Sequence, residues 1–210
     1  ILKASKKFNI RRVMIPTTPD VPWVNPYKIT KLAVEKLCQL FSKEYGLEVV
    51  ALKLGNVYGA RERWLESPDA PYNYQKIIPT ILINSLNSKK FPIYGNGEQK
   101  SEYIYVEDVV EAFIRSMNSE KDLGGKVIHV GSGQSNSVNE IVHACERAWN
   151  KKIEVEYTDM RPGEVHYLAY LDPKPMKELL DYELKWNLND GLTETIKYYE
   201  KVNKVLNAKK

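Results

Sequence analysis

The chain has 210 residues, of which 43% are hydrophobic and 28% are charged, and its formal net charge is +4. These values are typical of a globular protein with one or two domains and a sizeable core. No apolar run approaches the ~20 residues of a membrane-spanning helix. The lysines are scattered among acids and form no concentrated basic stripe. We therefore expect neither a membrane nor a nucleic-acid partner.

The sulfur and imidazole residues show no metal-site pattern. Cys38 and Cys145 fall in apolar helical patterns and are expected to be buried free thiols, which suits a reducing compartment such as the cytoplasm. The three histidines have no metal-ligand spacing with either cysteine, so no metal site is predicted.

The first part of the chain has a strand–helix–strand pattern. Val13–Ile15 is a short apolar strand that ends at Pro16. Residues 26–45 are expected to form a long helix because apolar residues recur with helical spacing, and Gly46 suits its C-terminal cap. Residues 47–54 read as the next strand. This order predicts a parallel α/β unit.

The later elements alternate in a similar way after a long polar loop at 60–76. Ser137 and Glu140 form a capping box, and Asp172 followed by Pro173 predicts a helix start. The remaining predicted helices are 77–86, 107–117, 137–149 and one from near Gly191, and the predicted strands are 91–94, 103–106, 126–130 and 152–157.

Tyr27 and Lys31 open the long helix four residues apart. Helical spacing places both side chains on one face, one turn apart. An ammonium group beside a phenol favours the phenolate, which can then exchange a proton with a sugar or alcohol hydroxyl near neutral pH. The motif is weak alone, so an exposed, non-catalytic Tyr and Lys pair remains the alternative.

The nearest match to a dinucleotide-binding fingerprint is Gly131-Ser132-Gly133, after the predicted strand 126–130. The position of the third glycine is occupied by Asn136. The capping box also starts the next helix at Ser137, too far from the first glycine for its amides to meet a phosphate there. A plain strand-to-helix loop is the favoured interpretation.

Several short motifs occur together along the chain. They are Asn25-Pro26-Tyr27 with Lys31, Gly55-Asn56-Val57-Tyr58-Gly59, Ile78-Pro79, residues 93–99, residues 103–109, Val130-Gly131-Ser132-Gly133 and Arg161-Pro162-Gly163-Glu164. In combination they resemble the extended short-chain dehydrogenase/reductase family, specifically its NAD-dependent nucleotide-sugar epimerases and dehydratases of the UDP-glucose 4-epimerase type. The resemblance covers nearly the whole chain but only the later part of the family's length. The family's N-terminal part, with its glycine fingerprint and ribose-binding acid, has no counterpart in this sequence.

The resemblance implies an α/β fold, with an incomplete Rossmann-type parallel sheet and a smaller mixed α/β substrate-binding domain. Residues 1–58 are expected to form the remaining part of the NAD-binding Rossmann domain with the catalytic helix. Residues 59–210 are expected to form mainly the nucleotide-sugar domain. A strand–helix segment near 103–131 is expected to return to the Rossmann sheet.

The resemblance also implies the catalytic and cofactor-binding residues. Tyr27 is the expected acid/base, and Lys31 is its expected partner and a donor to the nicotinamide ribose of NAD. Thr17 or Thr18 lies where the family has a Ser/Thr that hydrogen-bonds the reacting hydroxyl.

Four residues are implied to bind the nucleotide-diphosphate sugar: Asn56, Pro79, Arg161 and Glu164. The planar fork of Arg161 is suited to a diphosphate, with a surface arginine in a turn as the alternative. For Asn56 the alternative is a turn asparagine.

The chain also departs from the family pattern. The segment between Thr18 and Tyr27 is shorter than in the family, which implies either a deletion or absent residues. Ser101 stands where the family has a second phosphate-binding arginine. Lys53 replaces a usual arginine and His129 a usual asparagine.

The implied function is NAD-dependent epimerisation or dehydration of a nucleotide-diphosphate sugar through a transient keto intermediate. The family's usual homodimer, paired through helices such as 27–45, is expected by analogy. Two alternatives remain: a non-catalytic sugar-nucleotide-binding relative, and a simple NAD(P)-dependent reductase with the same Tyr/Lys pair. The sequence does not distinguish the sugar, the nucleotide base, or NAD from NADP.

Overall fold

The computed structural model describes residues 1–20, 25–62, 76–160 and 170–207. The helices in these ranges are α1 (Leu2–Lys7), α2 (Pro26–Tyr45), α3 (Ile77–Leu86), α4 (Val106–Asn118), α5 (Val138–Trp149), α6 (Lys174–Leu180) and α7 (Leu188–Asn207). The strands are β1 (Arg12–Thr17), β2 (Glu48–Leu54), β3 (Asn56–Tyr58), β4 (Phe91–Tyr94), β5 (Lys100–Tyr105), β6 (Val127–Val130), β7 (Ser135–Ser137) and β8 (Val155–Thr158).

Helix α2 has the predicted bounds, and local chemistry sets both ends. Asn25 caps its start, with the side-chain Oδ1 accepting a hydrogen bond from the Lys28 amide at 2.8 Å. Pro26 follows in the first turn, where its missing N–H costs nothing. Gly46 ends the helix in the left-handed conformation at φ 63°, which glycine adopts without strain.

Strands β1, β2 and β6 form a parallel sheet in the order β1-β2-β6. Helix α2 connects the two adjacent strands β1 and β2, whose register pairs Arg12 with Glu48 and Thr17 with Lys53. Strand β6 pairs with β2 on the other side, with His129 opposite Lys53. The predicted α/β fold with a parallel sheet is confirmed.

Both faces of β2 are buried, which explains its nearly continuous apolar sequence. On one face, Val49 and Ala51 pack with Cys38 of α2. On the other face, Val50 and Leu52 belong to a larger cluster that includes residues of β5, α4, β6 and α6. Helix α2 therefore covers one face of the sheet, and helices α4 and α6 cover the other.

The chain divides into two compact units. Unit 1 comprises Ile1–Val57, Ser101–Ser135 and Tyr167–Lys185, and unit 2 comprises Tyr58–Lys100, Asn136–His166 and Trp186–Lys210. Unit 1 contains the β1-β2-β6 sheet with α1, α2, α4 and α6. Strands β3, β5 and β7 form a second sheet in the order β3-β5-β7.

Unit 2 is built from α3, β4, α5, β8 and α7. Strands β4 and β8 pair in parallel, with Phe91 opposite Val155. Helices α5 and α7 pack together, and the Trp149 indole N–H donates to the Glu200 carboxylate at 2.7 Å. The predicted capping box of α5 is confirmed, because the Ser137 hydroxyl accepts from the Glu140 amide at 3.1 Å and the Ser137 amide donates to the Glu140 side chain at 2.7 Å.

Several element boundaries differ from the sequence prediction. Helix α7 starts at Leu188 rather than near Gly191, and α6 starts at Lys174, whose amide donates to Asp172 at 3.0 Å. Strand β8 starts at Val155, three residues later than predicted. The three-residue strands β3 and β7 were not predicted, because such short strands are defined by their partners rather than by a sequence period.

Cys38 and Cys145 are buried free thiols, as predicted. Burial raises the pKa of the Cys38 thiol to about 11 and that of Cys145 to about 12. Both side chains therefore act as small apolar core residues rather than as nucleophiles. None of the helices in the described ranges combines the length and apolar character needed to cross a membrane.

Candidate active site

The predicted pair Tyr27 and Lys31 lies on one face of α2, at the end where the helix begins. The Lys31 ammonium is 5.7 Å from the centre of the Tyr27 ring, within the range of a cation–π contact. The Tyr27 side chain is exposed, with 60% of the residue accessible. The phenol is therefore open to a ligand while a positive charge stays beside its ring.

Strand β1 holds the ammonium of this pair in place. Lys31 Nζ donates to the backbone carbonyl of Pro16 at 3.1 Å. An ammonium has three donors, and among the described residues this is its one hydrogen bond. Lys31 is thus fixed to the carboxyl end of β1 and keeps donor capacity for a ligand.

The predicted hydroxyl residues follow directly on β1. Thr17 is the last residue of the strand and is only 5% exposed, and its hydroxyl has no hydrogen-bond partner within the described ranges. Thr18 is half-buried in the segment that follows. Since Lys31 binds the carbonyl of Pro16, the structure brings the Lys31 ammonium to the peptide that leads into Thr17.

A charged cluster in unit 1 was not assigned a role from the sequence. The Lys53 ammonium, at the end of β2, lies 3.3 Å from Glu35 Oε2 and 3.0 Å from Asp20 Oδ2. Glu35 continues the stripe of Tyr27 and Lys31 at the same four-residue interval. That interval is the one sequence signal that could have identified it.

His129 of β6 borders this cluster, because it pairs in register with Lys53. Burial lowers the pKa of the His129 imidazole, and the positive charge of Lys53 lowers it further. Its Nδ1 is buried without a hydrogen-bond partner in the described part of the chain. Both effects favour the neutral imidazole, whereas the carboxylates of Asp172, Asp20 and Glu35 act in the opposite direction.

The predicted substrate-binding residues are distributed differently. Asn56 begins β3 in unit 1 and is half-buried, two residues beyond the end of β2. Pro79 is buried in the first turn of α3, in unit 2. Arg161 and Glu164 lie outside the described residues, so the structure does not bear on them.

The Gly131-Ser132-Gly133 loop binds an internal carboxylate. Glu102 is almost completely buried, and it accepts hydrogen bonds from the Gly133 amide at 2.9 Å and the Leu171 amide at 2.8 Å. Burial raises the pKa of Glu102 above its usual value, while these amide bonds act in the opposite direction. A carboxylate at this point excludes a phosphate, which supports the interpretation as a plain loop. The described residues also contain no cluster of His, Cys, Asp and Glu able to hold a metal ion.

Comparison with known proteins identifies the family. Residues 7–131 match the model of the NAD dependent epimerase/dehydratase family. An uncharacterized UDP-glucose epimerase from Bacillus subtilis is 30% identical over 83% of this chain and 52% of its own length. A putative UDP-glucose 4-epimerase from Methanocaldococcus jannaschii is 27% identical over 86% of this chain and 55% of its own.

A solved structure agrees with these relatives. The UDP-glucose 4-epimerase of Thermotoga maritima, determined with UDP-glucose, superposes with a TM-score of 0.82 at 27% identity, over 96% of this chain and 67% of that one. The chain spans about half the length of the two curated relatives. With more than half of its residues matched by the family model and its parallel sheet shared with a solved epimerase, the chain belongs to the NAD dependent epimerase/dehydratase family.

Proposed function

We propose that this chain supplies the catalytic helix and the substrate-binding part of an NAD-dependent nucleotide-sugar epimerase or dehydratase. One observation carries the proposal: an exposed Tyr27 phenol lies beside a Lys31 ammonium that is bonded to the carboxyl end of a parallel strand. Ligands of open parallel sheets bind at this end of the strands. Family membership supplies the reaction class.

The residues near this strand end fit the nicotinamide end of the cofactor. Lys31 keeps donors for a ribose hydroxyl, and Thr17 has a buried hydroxyl without a partner among the described residues. NAD, when bound, supplies the acceptor and later the donor of a hydride at the sugar carbon. The Gly131-Ser132-Gly133 loop has no part in the proposal, because Glu102 occupies its amides.

The chain's own residues perform the proton chemistry in this proposal. Tyr27 accepts the proton of the sugar hydroxyl as the carbon becomes a ketone, and returns a proton at the end of the cycle. The positive charge of Lys31 favours the phenolate during the first step. Thr17 or Thr18 hydrogen-bonds the reacting hydroxyl and orients it toward Tyr27.

The keto sugar then has two fates. If it rotates in the site so that the hydride returns to its opposite face, the product is the epimer. If it loses water first, the hydride and a proton return to the carbon–carbon double bond that remains, and the product is a deoxy keto sugar. Both reactions require the nucleotide diphosphate to stay bound while the sugar moves, so we assign that role to Asn56, Pro79, Arg161 and Glu164.

We assign the two units to the two ligands. Unit 1 contains the parallel sheet with Tyr27 and Lys31 and is the proposed NAD-binding side, whereas unit 2 is the proposed nucleotide-sugar side. The T. maritima relative, solved with UDP-glucose, supports a UDP-sugar as the substrate.

We further propose a homodimer in a reducing compartment, namely the cytoplasm. Helix α2 carries exposed apolar side chains on the face opposite its buried face, among them Ile29, Leu37 and Leu40. A two-fold axis would bury this surface against the same surface of a second copy. The free cysteines agree with the compartment.

Product analysis tests the proposed function. The intact protein is incubated with NAD and, separately, with UDP-glucose, UDP-glucuronate and dTDP-glucose, and the sugars are followed by proton NMR. We expect one of them to be converted to its 4-epimer or to a 4-keto-6-deoxy sugar. Binding of a nucleotide sugar without conversion would instead favour the non-catalytic relative. Reduction of a nucleotide-free carbonyl compound in a separate incubation with NADH or NADPH, with no thermal shift by any nucleotide sugar, would favour the simple reductase.

A further inference from the structure

Lys53 is a buried cation that contacts two separate segments of unit 1. Its side chain is 6% exposed, although it is charged and lies on a central strand. One contact is with Glu35 of α2 at 3.3 Å, and the other is with Asp20, after β1, at 3.0 Å. A buried ammonium requires such partners, because desolvation of an unpaired charge is costly.

The two partners belong to the two segments that carry the proposed catalytic residues. Asp20 follows Thr18 by two residues. Glu35 follows Tyr27 by eight positions on the same face of α2. A single ammonium thereby links the hydroxyl-bearing segment to the helix that carries the phenol.

Strand register fixes the position of Lys53 between these segments. Thr17 of β1 is its partner on one side and His129 of β6 is its partner on the other. Side chains at paired positions of a sheet point to the same face, which here is the face covered by α2. The Glu35 side chain is itself only 11% exposed, so this contact is shielded from salt.

We propose that Lys53 is a positioning residue for the reaction of Tyr27. Its ammonium holds α2 and the segment after β1 in a fixed relation, so that the Thr17 or Thr18 hydroxyl and the Tyr27 phenol reach the same substrate hydroxyl. This inference rests on the proposed function for its catalytic part, whereas the link between the two segments stands independently of it. Lys53 itself does not touch the reacting atoms.

Two measurements on the intact protein test the proposal. Hydrogen–deuterium exchange reports the link without any assay of activity. In Lys53→Met, we expect the amides of Thr17, Thr18 and Asp20 and those in the first turns of α2 to exchange at least ~10-fold faster than in the unsubstituted protein, while α5 is unchanged. Lys53→Arg, which keeps a cation able to bridge two carboxylates, should restore slow exchange.

Steady-state kinetics test whether Lys53 affects the reaction of Tyr27. The substrate is the nucleotide sugar that the protein converts. We expect kcat of Lys53→Met to fall by about 10- to 100-fold with KM nearly unchanged, and Lys53→Arg to recover most of the loss. Asp20→Asn serves as a second variant that should fold normally, because the Asp20 side chain is 67% exposed. It should show a smaller change in the same direction. Lys36→Met, at an exposed position of α2, is the matched control and should change neither quantity.

The outcomes separate the two ideas. Unchanged exchange at 17–20 and in α2 of a folded Lys53→Met or Asp20→Asn protein would overturn the link. Faster exchange with an unchanged kcat would overturn the positioning role. If the unsubstituted protein converts no nucleotide sugar, the proposed function fails, and the exchange result alone decides whether Lys53 joins the two segments.

Discussion

At the scale of single residues, the proposed site depends on contrasts of exposure. Tyr27 is exposed to solvent while Thr17, at the end of the neighbouring strand, is almost completely buried. Lys31 is partly buried. One of its three donors is used by the Pro16 carbonyl. An exposed phenol beside a cation that a backbone carbonyl holds in place is the arrangement that the proposed acid/base role of Tyr27 requires.

Another single residue, Glu62 of unit 2, gives a prediction for pH dependence. Its Oε2 is buried without a hydrogen-bond partner in the described part of the chain. Burial raises the pKa of the Glu62 carboxyl to about 7, although the charge of Lys76 opposes the change. The folded state thus holds this proton more tightly than the unfolded chain does. The stability that this bound proton gives the folded state is present in full below the pKa of Glu62 in the unfolded chain. It is lost as the pH rises through about 7.

The variant Glu62→Gln should remove this dependence. We expect it to be more stable than the unsubstituted protein by about 2 kcal/mol at pH 8 and nearly equal to it at pH 4, because the neutral amide does not ionise. Urea unfolding at both pH values measures the difference. Glu156→Gln, at an exposed position of the same unit, is the control and should differ from the unsubstituted protein by the same free energy of unfolding at both pH values. An equal effect of Glu62→Gln at pH 4 and pH 8 would contradict the assignment.

At the scale of elements, α2 has two faces with different partners. Cys38 and Glu35 are buried against the sheet, whereas Ile29, Leu37 and Leu40 are exposed. Exposed apolar residues that recur along one helix face mark an interaction surface more often than isolated ones do. This exposed face is the surface that we assign to the homodimer.

The exposed face of α2 can be tested by charge substitution. We expect the unsubstituted protein to sediment as a dimer and the double variant Leu37→Glu, Leu40→Glu to sediment as a monomer, because like charges would face each other across a two-fold axis. Analytical ultracentrifugation measures the mass of each. Val110→Glu with Ile114→Glu, two exposed positions of α4, is the control and should remain a dimer. A monomeric unsubstituted protein would refute the dimer.

The sequence predicts local features of these elements well. The bounds of α2 and α3 and the capping box of α5 depend on neighbouring residues and are confirmed. The pairing of Lys53 with Thr17 and His129 depends on strand register across the whole sheet, so no local pattern contains it. The same reason explains why Glu102, far from the glycines in sequence, could not be foreseen as the group that binds their loop.

At the scale of the whole molecule, the order of elements predicted the fold class correctly. A strand, a helix and a strand in succession require a parallel pair, and β6 extends that pair into a sheet. Unit 1 also contains residues 167–185, which no sequence pattern assigned to it. Packing explains this assignment, because Met176 and Leu180 of α6 complete the core beneath β2 and β6.

The central claim is that the Tyr27 hydroxyl transfers the proton, and the variant Tyr27→Phe tests it most directly. This variant removes one oxygen and keeps the ring beside Lys31. Once a nucleotide sugar is found that the intact protein converts with NAD, kcat of Tyr27→Phe is compared with that of Tyr45→Phe, an exposed tyrosine at the far end of the same helix. We predict a loss of at least ~100-fold for Tyr27→Phe and none for Tyr45→Phe. Equal turnover by Tyr27→Phe and the unsubstituted protein would contradict the account.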